Sequence, residues 1–336
     1  MEFPARSILL ATYMAKLFAA SRSLAALDGD WQTAGDDLLN ALAAGLKLIN
    51  TGRNLTVNSL GKTMVELSLR TLGSLLDRHD CPVAVVRSIL ERLPSRPDKE
   101  FGTTAARTFA WMSFAHALER VKKDKIVDPS LLKDYFREPA GFFTLERFVA
   151  ISGPGFFGTV HALAAFFLKK NETVAELRAF WEGVGRLEET PPFLWRSSPQ
   201  RAFRLGAGLN LGSFWWLRNP IGKMMIRSAI PYNWPILQHY VYRSYELKVR
   251  YDLIRLLGRA RFQAIPGRRL DQTVLEALLA AAAERDPFSG KPYLFHPGSG
   301  MLYSVGQDGL DNNGREQPAA WKDSDIAIRI SFVISD

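Results

Sequence analysis

The stretch Asp286–Gly314, DPFSGKPYLFHPGSGMLYSVGQDGLDNNG, decides how this chain is read. Gly, Pro, Asn and Asp stand between short apolar runs. That is the composition of tight turns joining short strands: Gly supplies positive φ, Pro presets its own φ, and Asx side chains bond the backbone ahead of them. Lys291–His296 and Met301–Val305 flank Pro297-Gly298-Ser299-Gly300, which predicts a hairpin with a four-residue loop. Farther on, Ile326, Ile328, Ile330 and Phe332 alternate with Ala327, Arg329 and Ser331, the period of a strand with one buried face.

Working back from this stretch, the period is helical. A helix is expected over 271–284, a longer one from about Pro235 to Phe262, and shorter ones at 144–151, 156–169, 172–186 and 220–229. The first third predicts helical hairpins over 5–28, 31–49, 55–79, 82–93 and 98–123. Ile8, Leu9, Tyr13, Leu17 and Leu24 read as the buried stripe of the first helix, and Leu38, Leu39, Leu42, Leu46 and Ile49 as that of the second. The segment ALDGDWQTAGDDLLNALAAGLKL is similar to a tetratricopeptide helix pair, although no 34-residue period follows. The fold class is therefore α+β, predominantly α: stacked helical hairpins, then a long helix packed on a small antiparallel sheet. Three regions are expected: 1–135 (helical hairpins), 136–234 (irregular, basic and aromatic) and 235–336 (the αβ end).

Composition narrows the chemistry. The 336 residues, 47% hydrophobic and 23% charged, can bury real cores, so disorder is not expected. The single cysteine, Cys81, excludes an internal disulfide and a thiolate cluster within one chain. No apolar run is long enough for an ordinary membrane span, and the first twenty residues read as an amphipathic helix rather than a signal peptide.

Charge is concentrated rather than spread. Between Arg196 and Leu270 fourteen Lys or Arg face only Glu246 and Asp252, an excess larger than the +9 of the whole chain. Aromatic rings are interleaved with these cations. Trp215 and Trp216, followed by Arg218, Lys223 and Arg227, could seat rings at a bilayer interface while cations meet anionic headgroups, or form a partner surface. A nucleic-acid strand is a third, less expected ligand. The plain alternative is an aromatic core with Arg and Lys snorkelling at its margin.

Other patterns are weaker than they look. Gly61-Lys62-Thr63 ends like a phosphate-binding loop, but position 56 is Thr and the region is helical, so a helix surface is expected. Gly206-Ala207-Gly208 lacks the strand a dinucleotide turn requires, and Gly141–Glu146 resembles a prepilin cleavage motif in the middle of the chain. The five histidines are far apart and form no HExxH pair. No catalytic motif is apparent, and a non-enzyme is expected, with a divergent enzyme using a cleft in the middle region as an alternative.

The order DPFSGKPY, hairpin, LYSVGQDG and terminal DSDIAIRI resembles the C-terminal half of a type II secretion major pseudopilin over about 100 of the 336 residues. The helical region in front, with NPIGKMMI at 219–226, is similar to a group of uncharacterised bacterial envelope proteins that end in the same way. This resemblance implies an envelope or periplasmic location, with the cytoplasm as the alternative, a protein partner, and a calcium ion in the loop. Its aspartates match Asp308 and Asp325, and its carbonyl donors match Val305 and Leu310. Extra residues separate the two aspartates here. On chemistry alone, Asp308, Asp311, Asn312, Asn313, Asp323 and Asp325 supply the hard oxygens calcium prefers, within 18 residues. An Asx turn cluster held by side-chain to backbone hydrogen bonds is the other reading.

Overall fold

The structure, a computed structural model, describes residues 5–52, 55–93, 101–105, 107, 108, 112, 169–195, 219–264, 270–316 and 325–334, with only the backbone described for 5–9, 55, 220–238 and 334. Helices α1 (Ala5–Leu27), α2 (Trp31–Thr51), α3 (Leu55–Asp77) and α4 (Val83–Arg92) are followed by α5 (Lys170–Glu189), α6 (Pro192–Trp195), α7 (Pro220–Gln263) and α8 (Gln272–Ala281). Strands β2 (Leu294–His296), β3 (Met301–Ser304) and β4 (Ile326–Arg329) form one antiparallel sheet in the order β2-β3-β4. A two-residue strand β1 (Leu270–Asp271) pairs in parallel with β5 (Val333–Ile334). The protein is thus predominantly helical with a small antiparallel sheet, the α+β class its sequence implies.

The hairpin is in the expected register: His296 pairs with Met301 and Leu294 with Tyr303 across the 297–300 loop. Gly300 takes φ 63°, and its carbonyl accepts from Ile330 N at 2.7 Å, so the hairpin loop also ties down the end of β4. Ile326, Ile330 and Phe332 are buried and Arg329 and Ser331 exposed, as the alternation requires, whereas Ala327 is buried and Ile328 half-buried. Ile328 is half-buried because its Cδ1 lies against Gly73 of α3, where a Cβ would stand 2.8 Å away.

One contiguous core joins the N-terminal helices to the C-terminal sheet. Leu38 and Leu42 of α2, Leu69, Leu72 and Leu76 of α3, Ile254 and Leu257 of α7, and Leu302 of β3 belong to it. Each fully buried aliphatic side chain contributes about 1.5–3 kcal/mol. The α2–α3 hairpin is close-packed at Gly45 and Gly61, where an added Cβ would come within 2.9 Å of Gly61 O and 2.7 Å of Gly45 O respectively. Helix α7 lies on α3, α4, α5 and β4, so it is the element against which the rest is organised.

Two expectations fail. Of the stripe assigned to the inner face of α1, Tyr13, Leu17 and Leu24 point outward, 55%, 65% and 61% exposed, while Ala19 and Ala26 are buried; the side chains of Ile8 and Leu9 lie outside the described ones. Apolar residues lie on several sides of this helix, so hydrophobicity alone does not mark its inner face, and small residues set the close contact with α2 and α3. In addition, the helices expected at 220–229 and 235–262 are one helix of 44 residues that continues through Pro231 and Pro235. These prolines are four apart, so the two missing N–H donors fall on one face and the other rows of hydrogen bonds continue. The helix expected at 144–151, that expected at 156–169 apart from its last residue, and the end of the 98–123 helix lie outside the described residues.

Candidate metal centre and the α3–α7 polar seam

The Asp-Pro turn is the anchor of the C-terminal module. Asp286 is buried, and its carboxylate accepts from Phe288 N (2.9 Å), Ser289 Oγ (2.8 Å) and Ser304 Oγ (2.7 Å). Its backbone closes the turn through Gly290 N to Asp286 O and Asp286 N to Lys291 O. One side chain therefore ties the turn to β3. Tyr293 just beyond it donates to Asp252 Oδ2 of α7 at 2.9 Å, which fixes the module on the long helix.

The turns that follow β3 gather three carboxylates. Asp308 Oδ1 accepts from Leu310 N, and Asp311 Oδ1 accepts from Asn313 N and from the Tyr303 hydroxyl at 2.9 Å. Burial and this hydrogen bond push the Tyr303 hydroxyl well above its ordinary pKa. Asn312 bridges the cluster: its Nδ2 reaches Asp308 Oδ2 at 3.3 Å while its backbone N–H donates to Asp325 Oδ2 at 3.1 Å. Asp325 Oδ2 also accepts from Gly314 N at 2.8 Å. Gly314 has φ 75° and no room for a Cβ, which would meet Met301 Cβ at 2.7 Å.

Asp325 is the unusual member. It is 1% exposed, and its second oxygen, Oδ1, is buried without a hydrogen-bond partner among the described residues. Burial pushes its carboxyl up to about 6, with Asp311 and Asp308 adding to the shift and the Gly314 and Asn312 N–H groups opposing it. A buried carboxylate with one orphaned oxygen beside two others is what a hard cation would complete.

The donor set suits such a cation in chemistry, because every candidate atom is a carboxylate, amide or carbonyl oxygen. Among the described residues, however, no three His, Cys, Asp or Glu side chains converge within metal-binding reach. Asp308 and Asp325 are brought close through Asn312. Val305 is buried on Asp286, Leu310 is 64% exposed, and Asp311 and Asn313 close their own turn. Asp323 lies outside the described residues. Asx turns of the plain reading are present at Asp308 and Asp311, and the orphaned Asp325 oxygen is what they leave over.

A second polar cluster lies between α3 and α7, and sequence reasoning misses it. Lys62 is helical as expected but not on the surface; it is 1% exposed and donates to Tyr240 O (2.9 Å) and Ser244 Oγ (2.7 Å). Burial pushes its ammonium down to about 8, with Glu188 and Glu246 pulling the other way. One turn on, Glu66 receives Arg70, Arg243 and Arg250, and Glu316 binds Arg70 and Arg250. Burial opposes ionisation of Glu66, but Arg243, Arg250 and Arg70 hold its carboxyl below the ordinary range. The one sequence signal is a Glu four residues before Arg70; the α7 partners are some 177 residues away.

These contacts decide half of the basic aromatic belt. Arg259 pairs with Glu284, and Arg261 donates to the carbonyls of Arg78 and His79 and covers the Phe332 ring. Tyr245 and Tyr251 are buried. Arg243, Arg250, Arg259 and Arg261 cross-link the fold around these buried rings, as in the snorkelling alternative, while Phe262 is exposed. Trp215, Trp216 and Arg218 lie outside the described residues, and Lys223 and Arg227 are placed on α7 by backbone alone.

A cavity of about 260 Å³ opens between α3, α7 and β4, with Leu69, Gly73, Leu253 and Ile254 as its apolar floor and Arg70, Arg250, Asp77 and Arg329 at its sides. Asp77 is engaged by Ser331, whose N–H and hydroxyl both donate to it. The cavity is outside the middle region in which the alternative of a divergent enzyme places its cleft, and Arg70 and Arg250 are already committed to carboxylates. No helix among the described residues is long and apolar enough to cross a membrane. In comparisons with known proteins, no family model, curated protein or solved structure matches the chain.

Proposed function

We propose that this chain is a non-enzymatic, envelope-associated scaffold or interaction protein, whose C-terminal pseudopilin-like module is stabilised by a calcium ion in the 304–325 turns. The observation that carries the metal reading is Asp325, a buried carboxylate with an unpartnered oxygen beside Asp308 and Asp311. Asp308 and Asp325 would hold the ion, with the Val305 and Leu310 carbonyls as further donors. The ion would supply charge neutralisation and order, not catalysis. The scaffold reading is supported by the motif order along 286–329 and by polar groups spent on joining elements, such as Lys62 on α7 and Glu316 on both α3 and α7.

The test is thermal unfolding of the whole protein with and without calcium, repeated on Asp308→Ala. A calcium-dependent rise in melting temperature that Asp308→Ala removes supports the reading; an unchanged melting temperature in wild type sinks it. The alternative of a peripheral membrane protein now rests on Trp215, Trp216, Arg218, Lys223 and Arg227, since the cations from Arg243 onward with described partners are turned to protein groups. Flotation with anionic liposomes at low salt addresses it.

A further inference from the structure

The outer face of α1 carries an unbroken seam. With Leu10 as the first position of a heptad, the a positions are Leu10, Leu17 and Leu24 and the d positions are Tyr13, Ala20 and Leu27. All six are apolar and all six are exposed, while the opposite side, with Ala19 and Ala26, is buried against the protein. A strict seven-residue repeat of apolar residues is the pattern of a helix that meets another helix by knobs-into-holes packing. With Met14 and Phe18 at its edge, the face exposes roughly 750 Å² per copy, close to the ~800 Å² that each partner contributes to a standard stable interface. It also exceeds the ~300–600 Å² of the largest apolar patch on a typical monomer.

The ends of the helix indicate what covers it. No acidic residue lies in the first turn of α1 and no basic residue in the last, and Asp28 and Asp30 follow its C-terminus, where the helix dipole is already negative. An antiparallel copy of α1 corrects both ends at once, because it sets the Asp28–Asp30 turn of each chain beside the positive N-terminus of the other. A lipid surface fits less well: of the cations on this part of the helix, Arg22 is paired with Asp37, which leaves Lys16 as the exposed one. We infer that α1 pairs with α1 of a second copy of this chain, antiparallel, through the Leu10–Leu27 seam.

The experiment is sedimentation of the full chain across a concentration series, with Leu17→Glu/Leu24→Glu as the variant. Both positions are solvent-exposed in one copy, so the variant should keep its helical circular dichroism and melting profile at low concentration while its dimer dissociation constant rises by about a hundredfold or more. Orientation is read by disulfide trapping. A mixture of Leu10→Cys and Leu27→Cys proteins should cross-link to each other. Leu27→Cys alone should not, since antiparallel packing separates the two copies of that residue by roughly 25 Å. The native thiol, Cys81, is buried and serves as the background in the wild-type control. Three results overturn the inference: a wild-type monomer at all concentrations, a dimer unaffected by Leu17→Glu/Leu24→Glu, or self-cross-linking of Leu27→Cys. A monomer that floats with liposomes through these leucines would overturn it too, and would assign the face to lipid instead.

Discussion

Asp325→Asn separates burial from metal binding in one substitution. In metal-free protein at pH 7.5 the Asp325 carboxyl, at about 6, is ionised against its environment. An upward shift of roughly two units from an ordinary aspartate corresponds to about 3 kcal/mol, and relaxation of the turns with water entry reduces this to about 1–2 kcal/mol. Asparagine keeps an oxygen for the Asn312 and Gly314 N–H groups and removes the charge facing Asp308 and Asp311. In chelator the variant should therefore melt about 1–3 °C above wild type. Saturating calcium should reverse the order, since a ligand at a hundred times its Kd adds about 2.7 kcal/mol to wild type and little to the variant. The pH dependence follows the same logic. A raised native carboxyl holds its proton after the unfolded chain has released it, so wild-type stability in chelator falls as pH rises from about 4 to about 6 and is level above. With calcium bound, the carboxylate form is favoured and stability rises with pH over that range. Scanning calorimetry in chelator and in calcium reads all of this. The reasoning is refuted if Asp325→Asn melts below wild type in chelator and calcium shifts both equally.

Three further outcomes follow from the packing. Lys62→Met should raise stability at pH 7 by about 1–3 kcal/mol and abolish a rise that wild type shows between pH 8 and about 10, where the native lysine has lost its proton and the unfolded one has not; urea titrations across pH check this. Gly61→Ala should cost about 2–4 kcal/mol, because its methyl would meet the backbone atoms Gly45 O and Ile49 N, which cannot swing away, as well as Ile49 Cγ1; chemical denaturation measures it. Asp286→Ala should cost about 2–4 kcal/mol by leaving Phe288 N–H and the Ser304 hydroxyl buried without their acceptor, and hydrogen exchange should quicken at Phe288 first.

What could be read along the chain was local. The hairpin at 294–304, the strand at 326–329 and the inner face of α2 follow from residues within a few positions of one another, where period and turn chemistry act directly. What needed distant residues was not legible. Lys62 reads as a surface lysine because nothing near it in sequence announces Ser244, and the outward turn of Leu17 depends on how α2 and α3 pack against α1. The same limit applies to the candidate site. Aspartate and asparagine spacing marks Asp308 and Asp325 as oxygen donors, but the orphaned Oδ1 of Asp325 and the anchoring role of Asp286 emerge only once the turns are folded.

The Lys62–Ser244 bond spans 182 residues, and around it α3 buries leucines against a helix near the other end of the chain. On a ribosome adding about 5–20 residues per second, α3 emerges some 9–36 s before its partner helix is made. During that interval the α2–α3 hairpin has its Gly45–Gly61 contact but no cover for Leu69 or the Gly73 groove. Synthesis of this protein therefore includes a long stage in which a finished hairpin carries half of an interface. Cover for those leucines comes only when α7 arrives.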